Sequence, residues 1–103
     1  MKFGVNPIIH FPNELSAPRA LDYVVRLTQT ARHGGFDGVF ASHHYAMGTN
    51  ERMFQPIPLL ARLAADAPGM TLGTAIFLLN LHNPVEAADI TSTLDIISRS
   101  RLV

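Results

Sequence analysis

Four histidines in segments read as loops, His10, His43, His44 and His82, are the side chains best suited to chemistry near neutral pH. The tightest grouping is His43-His44-Tyr45, directly after the apolar run Phe36 to Ser42. A histidine at a strand end can give or take a proton, or hydrogen-bond a ligand. Successive residues of an extended chain point to opposite faces, so at most one of the pair faces a common site. That both are satisfied loop residues is the other reading open at this point. The four histidines could also converge on a metal. However, there is no H-x-H or H-E-x-x-H spacing and no carboxylate pair to join them, so no metal ligand is expected.

Other groups carry weaker signals. Gly73-Thr74-Ala75 places small residues inside a strand, which marks either close approach of a flat ligand or tight packing against the second helix. Met47 and Met53 can line an apolar pocket or simply fill gaps. Asp37 and Asp95 are lone carboxylates, and no serine sits in a G-x-S-x-G elbow. The chain has no cysteine, which excludes thiolate chemistry and disulfides.

The elements that must position these groups follow from hydrophobic spacing. The run Phe3 to Ile9 reads as a first strand ending near Asn6. A helix starts at Ser16 or Ala17 with Pro18 in its first turn, and Gly34-Gly35 ends it. Phe36 to Ser42 is a second strand, followed by a polar loop from His43 to Gln55. Pro56 and Pro58 open a second helix with the stripe Leu59, Leu60, Leu63, Ala64 and Ala67, stopped by Pro68-Gly69. Met70 to Leu79 reads as a third strand, nearly all apolar as if covered on both faces. Asn83 caps a third helix, with Pro84 at its first position and Glu86 placed to reach back to the cap. Its apolar positions are Ala87, Ile90, Leu94 and Ile97. A turn at Ser98 to Ser100 leads into a new strand at Leu102-Val103.

The order β-α-β-α-β-α-(β), with a repeat of roughly 30 residues, predicts an α/β chain with a parallel sheet, the N-terminal portion of a (β/α)8 barrel. The 103 residues form a single unit that stops after the third βα repeat, so the barrel is read as incomplete. In such barrels the loops after the strand ends carry function. Here those are Asn6 to Phe11, Ser42 to Asn50 and Ala75 to Pro84.

Composition narrows the classes. Net charge is +0 with no basic cluster, which speaks against nucleic-acid binding. Apolar residues reach 48% and charged ones only 16%, which suits buried strands or a surface awaiting a partner. No signal peptide or membrane span is read, so a cytoplasmic setting is expected.

MKFGV, GGFDGVFASHHY and the long stretch from FQPIPLLARL to DIISRSR, in this order, resemble the luciferase-like monooxygenase family along nearly the whole chain. The resemblance implies a (β/α)8 barrel binding FMN, with a deazaflavin in some branches. Reduced flavin, supplied by a separate reductase, and O2 would oxidise a small organic substrate. His44 would lie near the flavin ring and stabilise or protonate the oxygenated intermediate. Asn6, Thr74, Ala75 and Ile76 would contact the cofactor, and a cis non-proline peptide is expected near Ala75-Ile76. There are departures from the family pattern. Ser42-His43 precedes the histidine where Glu or Gln is common, Asn80 replaces a usual proline, and Arg99-Ser100-Arg101 replaces Gly-Gly-Arg. Losing glycine there costs a turn in which it is cheap, though Arg and Ser are accommodated if φ stays negative. An isolated piece of this kind is expected not to retain FMN. The alternative function is a non-catalytic half-barrel that dimerises or complements a partner chain.

Overall fold

The computed structural model describes residues 1–45 and 48–103. In chain order its elements are β1 (Gly4–Val5), β2 (His10–Pro12), α1 (Ala17–His33), β3 (Gly38–Ala41), β4 (Glu51–Met53), α2 (Pro56–Asp66), β5 (Thr71–Thr74), a 3-10 turn at Leu79–Leu81, and α3 (Pro84–Ser98). Strands β1, β3 and β5 form a parallel sheet in that order. A parallel bridge from Leu72 to Leu102 begins a further strand at its edge. Helices connect the parallel strands, as in the opening units of a (β/α)8 barrel.

Local chemistry places the helix ends where the sequence indicated. Ser16 is extended ahead of α1, and Pro18 sits in the first turn. Gly35, at φ 87°, takes the left-handed conformation after it, which only glycine adopts without cost. α2 buries Leu59, Leu60, Leu63 and Ala64. At α3 the Asn83 side chain accepts the Val85 N–H, while the return bond expected from Glu86 is not formed.

The two faces of the sheet differ. Val39, Ala41 and Leu72 point to the helix side and join Val24, Leu60, Leu63 and Leu94 in one core. The other face is glycine-rich and organised around one ring. Gly4 pairs with Gly38, and Phe40 with Gly73. A Cβ at Gly4 or Gly73 would lie 2.5 Å from the Phe40 ring. Gly73 therefore makes room for Phe40, on the face away from the second helix.

Three expectations are corrected. The third strand ends at Thr74 rather than Leu79. The apolar run after it is a loop, with Ile76 and Leu79 exposed. The segments read as plain loops at His10–Ala17 and His43–Gln55 contain β2 and β4, which pair antiparallel (His10 with Met53, Pro12 with Glu51). That ribbon is held by Phe11 packed on Phe54, with ring centroids 4.8 Å apart, and by Arg52 lying 5.0 Å over the Phe11 ring. Finally, the condition under which Arg and Ser would fit the turn after α3 without cost is not met: Arg99 and Ser100 have positive φ, 59° and 56°.

Candidate functional site

The three parallel strands end side by side, and the loops that leave them carry the candidate residues. β1 ends at Val5, β3 at Ala41 and β5 at Thr74. The Ala75 N–H still donates to the Ala41 carbonyl, which sets the loop after β5 against the end of β3. The peptide Ala75-Ile76 is cis.

Between the ends of β1 and β3 the Asn6 Nδ2 donates to Ser42 Oγ at 2.9 Å. Beside this pair lies a cleft of about 190 Å³ lined by Asn6, Pro7, Ile8, Ser42, His44 and Met53, among others. His44 is exposed there and His43 is not. The two rings leave the strand end on opposite sides, and the alternation of an extended chain accounts for this.

His43 is 4% exposed. Its Nδ1 accepts the Leu78 amide N–H at 3.2 Å, which puts the ring proton on Nε2. Its ring stacks on Phe77 and leans on His82. Burial pushes the His43 pKa below the ordinary histidine value and His82 adds to this; the hydrogen bond with the Gln55 side chain opposes it, and His44 lowers it least.

The remaining sequence candidates are placed as follows. Ala75 and Ile76 are exposed on the loop after β5. Thr74 alternates with Gly73 and so faces the helix side. It lines a separate hollow of about 600 Å³ with Thr91, Asp95 and Leu102, apart from His44. Met53 lines the cleft, and Met47 lies outside the described residues. Asp37 and Asp95 are spent on backbone, accepting from the Phe3 and Leu102 N–H groups. Among the described residues no group of three histidines or carboxylates is arranged to hold a metal. No helix among them is long and apolar enough to cross a membrane. Sequence reading passed over Ser42 as a partner of Asn6. Its place at the strand end, opposite Asn6, was the available signal.

The sequence model of the luciferase-like monooxygenase family matches residues 1–103, the whole chain. The chain belongs to the luciferase-like monooxygenase family. Solved structures agree with this membership. Apo-MsnO8 is 26% identical with a TM-score of 0.84, over 98% of this chain and 30% of that one. The monooxygenase RslO1 from Streptomyces bottropensis is 31% identical with a TM-score of 0.80, over 99% and 31%. The oxygenating constituent of 3,6-diketocamphane monooxygenase from Pseudomonas putida, solved with FMN, is 22% identical with a TM-score of 0.84, over 99% and 28%, a likeness of fold. No curated protein sequence matches the chain. The chain thus spans about three tenths of the length of the structures it resembles.

Proposed function

We propose that residues 1–103 form the N-terminal part of a luciferase-like barrel domain. Within it, reduced flavin and O2 oxidise a small organic substrate. The observation that carries this reading is the cleft at the parallel strand ends, where the exposed imidazole of His44 lies beside the Asn6–Ser42 pair.

A flavin ring is flat and mostly apolar with a polar edge. The loops after the strands present both kinds of surface. Ile8, Ile76 and Leu79 are exposed apolar side chains, and Asn6 and His44 offer polar atoms in the cleft. Among the described residues no lysine or arginine lines the cleft, so these residues suit the ring end and not the phosphate end. Asn6, Ala75 and Ile76 would hold the ring, and Thr74 would contribute through its backbone only. Bound flavin supplies the electrons that reduce oxygen. His44 holds or delivers a proton at the reacting face, and the apolar loop residues keep water away from it. A separate flavin reductase in the cytoplasm fits as the source of reduced cofactor, and a deazaflavin is the other ring the cradle suits.

The test is a chimera in which this chain replaces the matched N-terminal part of RslO1. FMN-dependent oxygen consumption is expected, and His44→Ala should lower its rate by about 100-fold or more. A folded, FMN-loaded His44→Ala chimera that keeps the full rate would remove His44 from the reaction.

A second reading, a non-catalytic half-barrel that pairs with another chain, is favoured by one observation. On α3, Val85, Ile96 and Ile97 are more than half exposed, at 68%, 78% and 53%. Light scattering on the purified chain separates the two readings. A stable, compact, flavin-free dimer favours the second, while rescue of flavin binding by the remainder of a barrel favours the first.

A further inference from the structure

His43 takes no part in the cleft that His44 lines, yet it is the better anchored of the two. Its Nδ1 accepts the Leu78 N–H at 3.2 Å. Its ring centroid lies 5.3 Å from that of Phe77 and 5.5 Å from that of His82, and Phe77 and His82 stack on each other at 4.6 Å. His82 Nε2 is enclosed and has no hydrogen-bond partner among the described residues. Three stacked rings and one amide therefore fasten residues 77–82 to the end of β3. The fastened segment follows directly on Ala75 and Ile76.

An imidazole nitrogen accepts a hydrogen bond only while it carries no proton. Protonated at Nδ1, the His43 ring would turn an N–H toward the N–H of Leu78, and a bond would become a repulsion. The surroundings offer a charged ring little help. His82 and His44 oppose positive charge on it, and the hydrogen bond with the Gln55 side chain, ahead of α2, is the one contribution that favours it, outweighed by burial.

We infer that His43 is a positioning residue for the floor of the site: acting through the Leu78 amide, and only as the neutral ring, it holds the Ala75–Leu78 segment in place. As a statement about the flavin site this rests on the function proposed above. As a statement about the segment it needs no flavin, and it is tested without one. Burial and the neighbouring histidines already press His43 toward its neutral form, so the latch is closed at neutral pH and opens on acidification.

The experiment follows amide hydrogen exchange by NMR on the full chain between about pH 8 and about pH 5, the range in which histidine titrates. Leu78 is compared with Leu72, whose N–H is bonded to the Arg101 carbonyl in the sheet. The ratio of their protection cancels the intrinsic pH dependence of exchange. In the wild type this ratio should fall by roughly tenfold per pH unit once the His43 ring begins to take up its proton, a point read from the ring nitrogen shifts. In His43→Asn, whose amide oxygen can stand in for Nδ1 and does not titrate, the ratio should stay constant. In His43→Leu it should be low at every pH. Equal loss at Leu78 and Leu72, or an unchanged ratio while the ring becomes protonated, overturns the inference. Should neither variant fold, the wild-type ratio set against the ring titration decides alone. A chain that binds no FMN but shows this profile keeps the latch and loses only the flavin reading.

Discussion

At the scale of single residues, the inner face of the sheet depends on an absence of side chains. Phe40 lies over Gly73 in register, with Gly4 on its other side. Gly73→Ala would place a methyl group 2.5 Å from the ring edge, so the ring or the strand must shift. Overpacking of this kind costs about 1–3 kcal/mol. Urea denaturation should show that loss for Gly73→Ala in the Phe40 background, and most of it should vanish when Phe40→Leu is added. Equal losses in both backgrounds would mean that the ring is not what excludes the methyl. The histidine pair shows what a sequence can and cannot tell at this scale. That His43 and His44 face apart follows from strand geometry. Which one is buried depends on Phe77, Leu78 and His82, more than thirty residues downstream, and no local pattern encodes it.

At the scale of elements, the helices were legible because their signals are local: Ser16 and Pro18 before α1, Asn83 and Pro84 before α3, and glycine after α1 and α2. Strand ends were not. The run from Ala75 to Leu79 is as apolar as a buried strand, but Ile76 and Leu79 are exposed and Phe77 stacks on His43 instead of entering the core. The β2–β4 ribbon was missed because Glu51-Arg52 and His10 carry no apolar alternation, and only Phe11 is buried in it. The turn after α3 gives the sharpest correction. Arg99 and Ser100 both sit in the left-handed region, at φ 59° and 56°. Each non-glycine residue there costs on the order of 1 kcal/mol. Arg99→Gly and Ser100→Gly should each raise the thermal midpoint of the chain, with gains of about 0.5–1 kcal/mol that do not depend on salt. A loss in either variant would show that the side chain contributes more than its backbone strain costs.

At the scale of the whole molecule, the structure is fastened at both ends of its sheet. At the N-terminal ends of the strands, Arg101 spreads its guanidinium over backbone carbonyls: Ala64 at 2.7 Å, Ala67 at 3.2 Å, Met70 at 3.0 Å and Ser98 at 2.6 Å. It joins the last turn of α2, the entry to β5 and the end of α3. Hydrogen bonds from a charged donor to partly buried acceptors are each worth more than neutral ones, and leaving the carbonyls unpaired adds to the loss. Arg101→Ala should therefore cost about 2–3 kcal/mol in urea denaturation, and Arg101→Lys should recover little of it, because an ammonium cannot span that fan of acceptors. Full recovery by lysine would mean that charge alone does the work.

The two fastenings differ in kind. One rests on a guanidinium held to four backbone carbonyls, a kind of bond that does not switch near neutral pH, whereas the other, at the opposite ends of the strands, rests on the acceptor nitrogen of His43. A falling pH therefore acts on this fold with a direction. It slackens the mouth first, while the base keeps its register and the helices stay docked on the sheet. In mild acid the molecule should resemble a hinged vessel that opens at the rim, and the opening should reverse when the proton leaves, because nothing beneath it has come apart.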